Sequence, residues 1–116
     1  MILAKRLTVR FYRTPSGAEP VREWLWSLGD EDRKEIGDVL RAIEFGWPIG
    51  MPMCRPLGKG LYEARIALKN RIARIFFVPR EDRMVLLHSI IKKDRKTPVA
   101  DLELSRERLR EWEKHA

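Results

Sequence analysis

The sequence predicts one small α+β domain over residues 1–116, an antiparallel sheet packed on an N-terminal helical hairpin and a C-terminal helix in the order β-α-α-β-β-β-α. Three observations lead there. Apolar and polar residues alternate with period two at the start of the chain and again in its second half. Two stretches with helical spacing lie between. The last three strand-like runs are joined by short polar connections, as an antiparallel meander requires. With 116 residues and 44% hydrophobic content, the chain has enough apolar material for one modest core.

From Leu3 to Tyr12, Leu3, Lys5, Leu7, Val9 and Phe11 alternate with Arg6, Thr8 and Arg10, the sign of a strand with one buried face. Lys5 breaks the pattern only near the free end. Thr14-Pro15-Ser16-Gly17 reads as a turn, and Pro20 suits a first helical turn followed by Val21, Trp24, Leu25 and Leu28. Gly29 ends that helix. Asp30 is placed to cap a second, in which Ile36, Val39, Leu40 and Ile43 form a stripe opposite Asp32, Lys34, Asp38 and Arg41.

Between Gly46 and Gly60, Pro48, Pro52, Pro56, Gly50 and Gly58 argue against regular structure and predict a long loop, made basic by Arg55 and Lys59. Strands are then expected over Leu61–Leu68, Arg71–Pro79 and Met84–Lys92. Thr97 offers an N-cap with Pro98 at the first helical position, and Leu102, Ser105, Leu109 and Trp112 share one side of the closing helix.

Lys and Arg number 24 against 17 Asp and Glu, a net charge of +7. The pI near 10.0 suits a protein that meets a polyanion. Cys54 is the only cysteine, so no internal disulfide can form. No Cys/His cluster has zinc spacing, and neither a metal nor another cofactor is expected. Gly58-Lys59-Gly60 lacks the spacing and following helix of a phosphate loop. No apolar run approaches the roughly 18 residues of a membrane span, and the sequence predicts a cytoplasmic chain with no membrane partner.

No serine or cysteine carries a nucleophile motif, and His88 and His115 are the only histidines. Glu19, Glu23, Glu31, Asp32 and Glu35 read as solvated helix surface. The sheet, however, carries cations where strands usually have neutral residues. Glu63 and Arg65 share one face of their strand, with Tyr62, Ala64 and Ile66 on the other. Arg74 lies among Ile72, Ala73, Ile75 and Phe76, a costly place for a charge. Either its face opens to solvent or ligand, or it pairs with Glu63 across the sheet. Lys92-Lys93-Asp94-Arg95-Lys96 is either a solvated turn or, with Arg65 and Arg74, a phosphate-binding group. His88 fits a hydrogen-bonded sheet position or a base. Trp24 and Trp112 have core spacing, which leaves Trp26 and Trp47 as the tryptophans available for base stacking.

Pro56-Leu57-Gly58-Lys59-Gly60-Leu61-Tyr62-Glu63-Ala64-Arg65, Arg71-Ile72-Ala73-Arg74-Ile75-Phe76-Phe77 and Leu86 to Pro98 with His88 and Lys92-Lys93 together resemble the phage-derived, HigB-like toxins of the RelE/ParE superfamily. The likeness extends over essentially the whole chain. It implies a RelE-like sheet packed on helices, and a toxin that cleaves messenger RNA, usually on the ribosome, under the control of a helix-turn-helix, HigA-like antitoxin. It also implies metal-independent chemistry in which the RNA 2′-hydroxyl attacks the adjacent phosphate.

The family's basic strand residues match Arg65, Arg74 and Lys93, with Lys92 and Lys96 close by. By this resemblance Arg74, helped by Arg65, stabilises charge that builds on the phosphoryl oxygens. Lys93 or Lys92 handles proton transfer, with His88 as a further candidate. Lys96, Arg95, Arg71, Arg55 and Lys59 are then expected to contact RNA, and an acidic antitoxin segment to cover the basic face. Ala73 and Phe77 stand where tyrosines are frequent in the family, Ser89 where a glycine is, and Val99 where the RelE branch has a catalytic tyrosine. Two other functions share the fold: a ParE-like toxin that binds gyrase without catalysis, and an inactive relative that only binds RNA or antitoxin. The basic strand residues favour cleavage.

Overall fold

The computed structural model describes residues 4–92 and 96–115. Five strands form one sheet in the order β1-β5-β4-β3-β2, where β1 is Thr8–Phe11, β2 Cys54–Gly58, β3 Leu61–Leu68, β4 Arg71–Arg80 and β5 Arg83–Lys92. Helices α1 (Pro20–Ser27) and α2 (Asp30–Gly46) cover one face. Helix α3 (Val99–His115) covers the other. The expected α+β architecture is present, with two departures: a further strand, β2, and a sheet that is mixed rather than wholly antiparallel, because β1 runs parallel to β5.

Strand alternation sorts the core into two layers. Val21, Ile36, Leu40 and Ile43 from α1 and α2 meet Ala64, Ile66, Ala73, Ile75 and Phe77. On the opposite face, Leu61, Phe76, Val78, Val85 and Leu87 meet Leu109 of α3. A bulge after Phe76 pairs it with His88 while Phe77 pairs with Leu86, so His88 stays on the α3 side beyond Leu87.

Strand β1 is shorter than the expected Leu3–Tyr12, of which Leu3 lies outside the described residues. Glu44, near the end of α2 and 8% exposed, secures its outer edge. The Glu44 carboxylate accepts from Val9 N at 2.8 Å, and its carbonyl accepts from Arg6 N and Leu7 N at 2.7 and 3.0 Å. One outward amide of the edge strand, that of Val9, and the two amides just before the strand are thereby occupied by the protein itself.

Strand β2 lies within the segment expected to be a loop. Pro56, which lacks a donor, is tolerated because β2 is the last strand of the sheet and Pro56 adjoins a bulge between Pro56 and Gly58. Its turn into β3 places Gly58, Lys59 and Gly60 at φ 92°, 55° and 84°. Two glycines make this run of left-handed backbone affordable. Arg106 of α3 donates to Leu57 O at 2.6 Å and Gly58 O at 3.3 Å, holding the turn against the helix.

Two helix starts differ from expectation. Gly29 occupies the N-cap of α2, and Asp30, Glu31 and Asp32 fill the first turn, where their charges complement the helix dipole. Helix α3 begins at Val99, so Thr97 precedes it and spends its hydroxyl elsewhere.

Candidate active site

Register places five charged residues in a row across four strands on the α3 side. Arg55 of β2 stands opposite Glu63 of β3, and Arg65 of β3 stands opposite Arg74 of β4. Lys92 of β5 pairs with Ile72, two residues from Arg74 and therefore on the same face. The row lies at the end of the sheet reached just before α3 begins.

Arg74 is fully buried, and so is Glu63. Of the two settings the sequence allows for Arg74, the structure has the ion pair: Arg74 Nη1 lies 3.9 Å from Glu63 Oε2. Thr97 bridges the two, its hydroxyl donating to Glu63 Oε2 at 2.7 Å and accepting from Arg74 Nη1 at 3.3 Å. The other carboxylate oxygen, Oε1, accepts no hydrogen bond among the described residues and lies 3.7 Å from Arg65 Nε. One buried carboxylate thus sits between two guanidinium groups. Arg65 keeps 21% of its side chain accessible, Lys92 is half-buried, and Arg55 and Lys96 are exposed.

His88 lies on the same face, stacked on Phe76 at 5.7 Å between ring centroids. Both ring nitrogens face α3: Nε2 is 2.7 Å from Asp101 Oδ1, and Nδ1 is 3.5 Å from Arg108 Nη1. Arg108 can only donate, so Nδ1 accepts in that contact, which leaves Nε2 to donate to Asp101. Arg108 also donates to Leu87 O at 2.8 Å and lies over the Tyr12 ring. Burial lowers the Arg108 pKa and, with Glu111 nearby, raises that of Tyr12. His88 thus has hydrogen-bonded contacts that join β5 to α3.

The remaining sequence candidates are dispersed. Arg71 points to the other face and grips Asp32 of α2 through both carboxylate oxygens, at 3.0 and 2.8 Å. Asp32, expected as solvated surface, is thus an ion-pair partner. Lys59 lies in the β2–β3 turn, six residues and about 20 Å along the strand from Arg65. Lys93 and Arg95 lie outside the described residues. Trp24 and Trp112 pack partly buried against the two core layers, and Trp47 packs edge-on against Tyr62 and Phe77. Trp26 is 67% exposed, but on the α1 side, away from the row. Ala73 and Phe77, where the resemblance leads to an expectation of tyrosine, are buried on that side too, in the layer that packs on α1 and α2. Val99 is exposed at the start of α3.

Among the described residues, no group of three or more His, Cys, Asp or Glu side chains is placed to hold a metal ion, and no helix is long and apolar enough to cross a membrane. The family model described as phage derived protein Gp49-like (DUF891) matches residues 23–110, from within α1 to within α3. The chain belongs to the Gp49-like family. No curated protein matches it. The Gp49-like family is phage-derived and toxin-like, which is compatible with the toxin half of a toxin–antitoxin pair and implies an antitoxin partner. The Gp49-like match contains the whole charged row and leaves β1 outside it.

Sequence reasoning gave Glu63 only one possible role, as partner of Arg74, and read Thr97 only as a cap. The signal for Glu63 was available: a carboxylate on the same strand face as Arg65, in a strand otherwise apolar, has to find cations. Asp101 and Arg108 gave no such signal, because charged positions on an amphipathic helix look alike until the sheet beneath them is known.

Proposed function

We propose that this protein is a HigB-like toxin that inhibits translation by cutting messenger RNA, probing the ribosome-bound message with the basic row on the α3 side of its sheet. The observation that carries this reading is the cross-strand pair Arg65 and Arg74, with Lys92 on the same face. Like charges directly opposite on a sheet are unfavourable. The partly accessible Arg65, together with the exposed Arg55 and the half-buried Lys92, leaves positive charge at the surface of this face, which supports contact with a polyanion.

The reaction is an in-line transesterification. The 2′-hydroxyl oxygen bonds to the adjacent phosphorus and gives up its proton. The bond to the 5′-oxygen breaks, and that oxygen takes up a proton. A 2′,3′-cyclic phosphate and a 5′-hydroxyl result. Charge accumulates on the non-bridging oxygens in the transition state, and a fixed guanidinium stabilises it more there than in the ground state.

Of the cross-strand pair, Arg65 is the one with accessible surface and takes this role. Arg74, buried behind it, is a positioning residue in place of the direct phosphate contact suggested by sequence. Lys92 and Lys96 bind flanking phosphates, and Lys93, directly after Lys92, serves in proton transfer. Arg55 extends the row along the RNA. The antitoxin, a HigA-like helix-turn-helix protein, silences the toxin with an acidic segment over this face.

Inducible expression with primer extension on bulk messenger RNA tests the proposal, comparing wild type with Arg65→Ala. Discrete cuts within coding regions that disappear in the variant are expected. Growth arrest with intact messages would overturn it in favour of a ParE-like gyrase poison.

A further inference from the structure

We propose that Glu63 is a positioning residue of this site: its single carboxylate orients Arg65 and Arg74 together and ties both, through Thr97, to the segment that carries Lys96 into α3. The inference rests on the ribonuclease reading above.

Burying a carboxylate completely is expensive, and a well-packed apolar side chain is often the more stabilising choice at such a place. Glu63 nevertheless stands between two cations, with Oε1 3.7 Å from Arg65 Nε and Oε2 3.9 Å from Arg74 Nη1. Arg65 and Arg74 are direct cross-strand partners, so without the carboxylate their guanidinium groups repel and turn apart. With it, the trio keeps one net positive charge, and that charge reaches the surface through the partly accessible Arg65. The Thr97 hydroxyl donates to Glu63 Oε2 at 2.7 Å and accepts from Arg74 at 3.3 Å. Lys96, the neighbour of Thr97, is thereby placed relative to the same carboxylate.

This arrangement has a signature that neither net charge nor stability alone produces. Neutralising Glu63 makes the face more positive, so RNA is held as tightly as before or more tightly. Turnover falls, because an accessible guanidinium displaced by about 1 Å loses on the order of a hundredfold in rate.

The experiment uses the purified full chain and ribosomes programmed with a defined message. Turnover and KM are measured for wild type, Glu63→Gln and Thr97→Val well below their melting temperatures, with a thermal melt for each. The expected result for Glu63→Gln is a fall of about a hundredfold in kcat with KM unchanged or lower, and for Thr97→Val a fall of about tenfold with KM unchanged. A folded Glu63→Gln protein with wild-type kcat would overturn the inference. Should Glu63→Gln not fold, Thr97→Val decides, since it keeps all three charges and removes only the bridging hydroxyl; wild-type kcat in that variant overturns the inference. Wild-type protein that leaves the message intact overturns the ribonuclease reading itself, whatever Glu63 does.

Discussion

Arg65 and Arg74 face one another across adjacent antiparallel strands, and both lie within 4 Å of the same buried carboxylate, Glu63, at 3.7 and 3.9 Å. Removing that carboxylate takes away one counterion of the fully buried Arg74. Glu63→Ala is therefore expected to destabilise the fold by about 3–5 kcal/mol, whereas the paired apolar replacement Glu63→Leu with Arg74→Met is expected to recover most of that loss. Urea unfolding of the three proteins measures it. Equal losses in the single and double variants would show that packing volume, and not charge, sets the stability here.

Arg65 offers the cleaner separation of activity from folding. Its side chain is partly accessible, its pairing with Glu63 is long, and Glu63 keeps Arg74 and Thr97, so Arg65→Ala is expected to cost less stability than Arg74→Ala. Growth arrest on induction should nonetheless disappear. Arg74→Ala, in contrast, is expected to lose stability and toxicity together, because Arg74 is wholly buried. Comparison of melting curves and growth curves for the two variants checks this; an Arg65→Ala protein as toxic as wild type would remove Arg65 from the site.

Glu44 guards an edge of the sheet. Its carboxylate takes the Val9 amide at 2.8 Å in a nearly buried setting. Glu44→Ala leaves that amide without its partner and is expected to cost about 1–3 kcal/mol. The opened edge should also promote association. Light scattering on concentrated samples, alongside urea unfolding, tests both effects, and Glu44→Gln, which retains an acceptor, should lie between the extremes.

Cys54 is fully buried in the core facing α1 and α2, and burial pushes its thiol pKa up from 9.0 to about 11. At neutral pH the folded protein should resist thiol reagents that modify the urea-unfolded chain quickly. The sign of the linked stability follows from the direction of the shift. The folded state holds the proton more tightly than the unfolded state, so the contribution is intact below pH 9 and is lost as pH rises from 9 toward 11. Tyr12, also raised, adds in the same direction. Urea midpoints measured across this alkaline range should fall for wild type, and fall less for Cys54→Ala.

Most of the fold was legible in the sequence because most elements bury a face of their own. The stripe Ile36, Val39, Leu40 and Ile43 and the alternation in β3 to β5 report such faces directly. Strand β2 was not legible. Pro56 and Gly58 suppress its local signal, and it exists because β3 offers a free edge and Arg106 anchors the turn. The parallel placement of β1 against β5 is equally non-local, since nothing in residues 8–11 specifies which strand they will join. At the site, the strand face shared by Glu63 and Arg65 was readable from the two-residue period, but the depth of Arg74 was not.

Local sequence already carries the residue types that line each face of the sheet, the basic character that suits a polyanion, and the resemblance across Pro56 to Pro98 that points to a phage-derived toxin. Which cations lie together depends on strand register and on the approach of α3. Register set Arg65 opposite Arg74 and sent Arg71 to Asp32 on the far side, and the approach of α3 gave Thr97 to Glu63 and Asp101 to His88. The physical reason is one of range. Periodicity is fixed by backbone geometry over a few residues, whereas the worth of a charge depends on its burial and its partners, which come from segments distant in the chain.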